Sequence, residues 1–131
     1  MAYWQLPMNV LGVAWIGLVS DREAMRHFYS ELLGLKLLEA EVGFAYYQVD
    51  EKTRLEILAS HTRTATQQRA DAPAIGFLVD DLESAVQHLR QANVSFMSEI
   101  QEWRSGEVIH RWIYLKDPEN NVLLLLERHG E

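Results

Sequence analysis

A chain of 131 residues, 48% apolar and 24% charged, suits one globular domain with a real core. It has no cysteine, which excludes disulfides, thiolate metal ligands and a cysteine nucleophile, and fits a cytoplasmic setting. A net charge of -7 with scattered basic residues shows no basic stripe for nucleic acid.

The run from Met1 to Val19 has no basic flank before its apolar stretch, and reads as a strand rather than a leader or membrane span. Its strand portion is Val10–Val19, rich in Val, Ile, Leu and Trp. Ser20-Asp21-Arg22-Glu23 has the form of a capping box, so a helix follows. Ala24, Met25, Phe28 and Leu32 recur at helical spacing and predict its buried face. Gly34 stands where a left-handed cap ends such a helix. Three strands are then expected, at Leu35–Ala40, Phe44–Val49 and Arg54–Ala59, the last two joined by Asp50-Glu51-Lys52-Thr53. Ser60 to Asp71 is polar and reads as a linker over the surface.

The second half repeats this order. Ala74–Val79 is an apolar strand, and Asp80-Asp81-Leu82-Glu83 offers a second cap. Leu82, Ala85, Val86 and Leu89 mark one helix face, and Asn93 takes the place of Gly34. Strands are expected at Val94–Ile100, Val108–Lys116 and Val122–Glu127, the last two joined by Asp117-Pro118-Glu119-Asn120-Asn121. Superposing Asp21 on Asp81 aligns strand, helix and cap, which supports an internal duplication with repeats at about 9–60 and 72–128. The expected class is α+β: two β-α-β-β-β modules forming curved mixed sheets around a concave pocket.

These landmarks, Val19-Ser20-Asp21, Phe28-Tyr29, Leu33-Gly34-Leu35, Val79-Asp80-Asp81-Leu82 and the Asp117–Asn121 turn, together resemble the vicinal-oxygen-chelate superfamily of glyoxalases, bleomycin-resistance proteins and dioxygenases. Asn120 stands where that family's turn has Gly. The resemblance covers about Val10 to Glu127 and implies a glyoxalase-like fold. It also implies four strand positions that hold a divalent metal in the family's enzymes. Counted from Asp21, Asp81 and Asp117, and from the Leu55-Glu56-Ile57 pattern, these fall on Ala14, Glu56, Ala74 and Leu124. A slip of one residue at the first position gives Val13 or Trp15, neither of which ligates. Three of the four positions have no lone pair to donate, so no metal and no other cofactor is expected.

Glu56 is then the informative acid, expected on the concave side beside Ala14, Ala74 and Leu124. Poor solvation raises its pKa unless a cation pairs with it, and Arg54 and Arg111 are the candidates. His110 is the one histidine of five placed to face a pocket; His27, His61, His88 and His129 read as surface or boundary residues. Trp15, Phe44, Tyr46, Tyr47, Trp112 and Tyr114 lie on strands and supply either stacking walls or core. Alternation puts Trp15 on the face opposite Ala14, hence in the core; it leaves open whether His110, Trp112 and Tyr114, or Arg111 and Ile113, face the cavity.

The expected ligand-binding residues are Glu56, Arg111, His110, Trp112 and Tyr47, with Glu56 the catalytic candidate. The expected function is metal-independent binding of a small organic ligand, with no nucleic-acid or membrane partner and, as the resemblance implies, a homodimer. The alternative is a lyase, isomerase or dioxygenase-type enzyme that uses Glu56, with or without a divalent metal. No nucleophile-elbow, Walker or dinucleotide-binding pattern occurs.

Overall fold

A computed structural model describes residues 8–68 and 71–130. Residues 1–7 of the expected N-terminal run and residues 69–70 of the expected linker lie outside the described residues. The chain forms two compact units, Val13–Gly76 and one built mainly from Phe77 onward. Among the described residues no helix is long and apolar enough to cross a membrane.

The first unit contains strand β1 (Val10–Val19, from Val13), helix α1 (Glu23–His27) and strands β2 (Lys36–Glu41), β3 (Phe44–Gln48) and β4 (Arg54–Leu58). Its strand order is β2-β3-β4-β1, with β1 parallel to β4 and the other pairs antiparallel. The second contains the end of β5 (Ala74–Val79), helix α2 (Leu82–Gln91) and strands β6 (Gln101–Ser105), β7 (Val108–Lys116) and β8 (Val122–His129), in the order β5-β8-β7-β6. The α+β class with two β-α-β-β-β modules therefore holds.

Helix α2 forms as its sequence demands. Asp81 caps it by accepting from the Ser84 amide, and Leu82, Ala85 and Val86 are buried against Val79, Ile113, Leu115 and Leu125. Asn93 takes φ 67° and ends it. A second anchor comes from β8: Glu127, 5% exposed, accepts from the Leu82 amide at 3.0 Å and from the Arg111 guanidinium. Arg111 also binds Glu83 on the helix, so a single guanidinium ties β7, β8 and α2 together. Its partners hold Arg111 strongly protonated, with Glu83 contributing most.

Helix α1 departs from expectation in three ways. No capping box forms. Ser20 accepts from the Arg22 amide, while Asp21 turns to the amide and hydroxyl of Ser60, which hold its carboxyl below the usual range. The helix has one α turn and then widens into a π-helical turn at Phe28–Leu32, closed by Leu33 N–H to the Phe28 carbonyl at 2.9 Å. The extra residue rotates the expected face outward, so Phe28 is 45% and Leu32 66% exposed. Met25 packs on Ala45, Tyr47, Leu55 and Ile57 as expected, and Tyr29 joins it there in place of Phe28 and Leu32. Gly34 does take the left-handed cap, at φ 72°.

Two more expectations need correction. The strand expected at Val94–Ile100 forms at Gln101–Ser105, and in the earlier stretch Phe96 makes an isolated bridge to Leu115. Val94, Phe96 and Ile100 lie against the α2 core, so those apolar residues cover it rather than alternate along a ladder. The stretch after Ser60 is also not purely surface: it makes a short 3-10 turn at Ala65–Gln67 and buries Ala65 and Gln68.

The Glu127 junction makes a stability prediction. Glu127→Ala leaves the buried Leu82 amide without its acceptor and Arg111 short of a carboxylate, and costs about 3 kcal/mol. Urea unfolding reads this as a lower midpoint at unchanged slope, with Glu127→Gln, which keeps an acceptor, losing about half as much.

Candidate active site

Strand alternation assigns two faces within each unit. In residues 13–76 the face carrying Leu18, Ala45, Tyr47, Leu55 and Ile57 lies under α1 and the π-helical turn. The registers put Trp15, Gly17, Tyr46, Arg54 and Glu56 on the other face: Gly17 lies beside Glu56 in the β1–β4 ladder, and Tyr46 opposite Glu56 in β3–β4.

The first metal-position assignment is thereby corrected. Ala14 shares the helix side of β1 with Ile16 and Leu18, and Trp15 is the residue that meets Glu56. Trp15 is indeed buried, at 4% exposure, but its indole Nε1–H donates to Glu56 Oε1 at 2.9 Å. Gly17 makes this possible. A Cβ there would stand 2.0 Å from the Trp15 ring, so the indole lies flat over the glycine.

Glu56 keeps a partial opening to solvent, yet burial pushes its carboxyl up to about 7. The Trp15 N–H opposes that rise and Glu39 adds to it. Among the described residues no cation offsets the cost. Arg54, on the same face, directs Nη1 to the Asp50 carbonyl at 2.9 Å. Arg111 is held by Glu83 and Glu127 on the helix side of its own unit. The expected pairing of Glu56 with Arg54 or Arg111 does not form.

Sequence reasoning missed Gln68, which is 9% exposed. Its Nε2 donates to the Gly17 carbonyl at 3.0 Å, which fixes the amide orientation, and its Oε1 is buried with no partner among the described residues. A glutamine in a polar linker carries no signal that marks it as interior.

The remaining expected residues separate by face. Tyr47 is fully buried under α1 and shares a hydrogen bond with Ser30 at 2.8 Å, so it supports the core and not the Glu56 face. In the unit from Phe77 onward, His110, Trp112 and Tyr114 lie opposite the side that Ile113, Leu115 and Leu125 present to α2. His110 is 5% exposed and stacks on Trp103 with ring centroids 4.9 Å apart. Trp112 faces Gln101 across the β6–β7 ladder, and their donors Nε1 and Nε2 are buried with no partner among the described residues. Leu124 lies opposite Tyr114 on that same face.

Among the described residues no three His, Cys, Asp or Glu side chains cluster so as to share a metal ion. A cavity of about 380 Å³ lies apart from the Glu56 face, lined by residues such as Asp21, Arg22, Arg26 and His61.

Compared with known proteins, residues 13–125 match the profile of the Glyoxalase/Bleomycin resistance protein/Dioxygenase superfamily. No curated protein matches the chain. Among solved structures, methylmalonyl-CoA epimerase from Mycobacterium tuberculosis superposes with a TM-score of 0.69 at 20% identity, over 92% of this chain and 90% of that one. A variant of the Streptomyces coelicolor methylmalonyl-CoA epimerase, in complex with 2-nitronate-propionyl-CoA, gives 0.70 at 16% identity, over 91% and 98%. The Mn(II)-bound glyoxalase from Novosphingobium aromaticivorans gives 0.67 at 16% identity, over 92% of this chain and 40% of that one. At these identities the likeness is one of fold.

Two outcomes are expected from the Glu56 environment. An acid with a raised folded pKa favours folding below its unfolded value and loses that contribution as pH rises through the folded one. Glu56 therefore removes on the order of 2 kcal/mol of stability between about pH 4.5 and about 7. Denaturation across that window should show Glu56→Gln gaining on the wild type as pH rises. Gly17→Ala should push the indole off Glu56, seen as a shifted Trp15 indole resonance by NMR.

Proposed function

The chain belongs to the Glyoxalase/Bleomycin resistance protein/Dioxygenase superfamily, and on that premise we propose that it binds a small organic ligand at Glu56 without the family-type metal. The observation that carries this reading is the Trp15–Glu56 hydrogen bond. The one carboxylate among the four family positions already accepts from an indole N–H, and an indole N–H has no lone pair to offer an ion. Trp15, Ala74 and Leu124 give no substitute donors, and a stable site for Zn, Ni, Mn or Fe needs about three protein ligands. The residue set does not fit the metal. What it does offer is apolar and aromatic surface with a few unmatched polar atoms, the usual character of a small-molecule site. We include a homodimer in this proposal, checked by light scattering.

A second reading is favoured by one observation, the Glu56 carboxyl near 7. A carboxylate poised near neutral pH suits a general base, and proton abstraction from a bound ligand would make the chain a metal-independent isomerase or lyase. Two of the structural neighbours are epimerases.

Calorimetric titration with Zn, Ni, Mn and Fe(II) separates these readings from a metal enzyme. No stoichiometric micromolar binding is expected; one-to-one binding that disappears in Glu56→Gln would overturn the metal-independent proposal. Binder and base are separated by turnover of any substrate found: an essential base loses about 100-fold or more in Glu56→Gln, whereas equal turnover removes that role.

A further inference from the structure

We propose that the β2 edge of the unit Val13–Gly76 is a self-association surface, which takes a second copy of this chain with the two β2 strands antiparallel about a two-fold axis. This rests on the homodimer included in the reading above and adds where the copies meet.

The first observation is where apolar surface is left in water. More than half of the large apolar residues that stand exposed among the described ones fall between Phe28 and Val42. The π-helical turn directs Phe28 and Leu32 outward, and Leu33 follows them. Gly34, at φ 72°, then leads the chain into β2, where Leu37 and Leu38 are 49% and 40% exposed. Leu37 lies opposite Tyr47, so it stands on the α1 side of the sheet, the side that carries the π-helical turn. Phe28, Leu32, Leu33, Leu37 and Leu38 together expose on the order of 450 Å², as much as the largest patch of an ordinary monomer and more than half of what each partner of a stable complex buries. Lys36, Ala40 and Glu41, also exposed, extend that surface along the strand.

The second observation is the charge pattern of the edge. β2 ends the order β2-β3-β4-β1 and pairs with β3 alone among the described strands. Such an edge accepts another chain unless its charges forbid it. Lys36 begins this strand and Glu41 ends it; Arg26 donates to the Glu41 carbonyl. Antiparallel copies therefore set Lys36 of each opposite Glu41 of the other, whereas parallel copies set like charges together. Opposed residues must point to the same face, which residues five apart in a regular strand do not. The bulge between Leu37 and Glu39 restores the match: Lys36 lies opposite Gln48 and Glu41 opposite Phe44, and these two share a face of β3. The same register sets Leu37 opposite Ala40 of the other copy. Both stand on the α1 side, since their β3 neighbours Tyr47 and Ala45 lie there. One register thus matches charge on one face and apolar surface on the other.

The test is sedimentation equilibrium of the full-length protein between about 1 and 100 µM. It compares the wild type, Lys36→Glu, Glu41→Lys, an equimolar mixture of those two variants, and Leu32→Ser, with circular dichroism verifying that each is folded. The wild type is expected to dimerise as its concentration rises. Each charge variant sets like charges opposite each other at both ends of the pair and should weaken the dimer about tenfold. In the mixture opposite charges meet again at both ends, so the wild-type constant should return. Leu32→Ser removes apolar surface and should weaken the dimer severalfold. A wild type that stays monomeric throughout would overturn the inference together with the homodimer. A dimer that neither charge variant weakens, or that the mixture does not recover, would overturn the β2 surface alone and leave the copies meeting elsewhere.

Discussion

Each helix in this chain needs an apolar floor, and a strand supplies one only by sending its alternate residues the other way. That alternation decides the rest. Once Ala45, Tyr47, Leu55 and Ile57 lie under α1, their neighbours Tyr46, Arg54 and Glu56 have no choice but the opposite face. Once Ile113, Leu115 and Leu125 lie under α2, His110, Trp112, Tyr114 and Leu124 are turned away from it. In each unit the side free of helices therefore carries side chains that do not pack under its helix, among them Tyr46, Arg54 and Glu56 in one and His110, Trp112 and Tyr114 in the other.

The contrast between two buried carboxylates shows how the units use this differently. Glu127 points to the helix side, where the Leu82 amide and Arg111 satisfy it, and a carboxylate so matched serves as a structural tie. Glu56 points the other way and meets one indole N–H, with Glu39 as a second negative charge acting on it. Matching a buried charge stabilises a fold, whereas leaving a buried polar group half-matched costs free energy. The same holds for the buried Oε1 of Gln68 and for the donors of Trp112 and Gln101. Gln68 leaves an acceptor unmatched, whereas Gln101 and Trp112 on the β6–β7 pair leave donors.

Family membership and site chemistry are separate matters here. The profile match and the structural neighbours show what scaffold the chain uses. They do not say what stands at the strand positions, and here the first of these is taken by a tryptophan that lies over a glycine and hydrogen-bonds the neighbouring acid. A substitution of that kind places an N–H donor, which has no lone pair, beside the acid.

Local chemistry was readable from the sequence wherever it acts over a few residues. The apolar runs predicted β1, β5 and β7 at their observed ends, and Asp81 and Asn93 marked both ends of α2, because strand propensity and capping are short-range effects. Glu56 was legible as the acid to watch, since a charged residue between Leu55 and Ile57 in a strand must either face the helix side or stand out from it. Tertiary structure alone decided the rest. The π-helical turn kept Met25 on the sheet but put Tyr29 there in place of Phe28 and Leu32, because packing on the sheet outweighed a uniform helical period. The register between β1 and β4 put Trp15 and not Ala14 beside Glu56, since a count along one strand carries no information about its partner's offset. Gln68 went inside because a carbonyl on β1, 51 positions away in the chain, needed a donor, and nothing local to a polar linker records such a need.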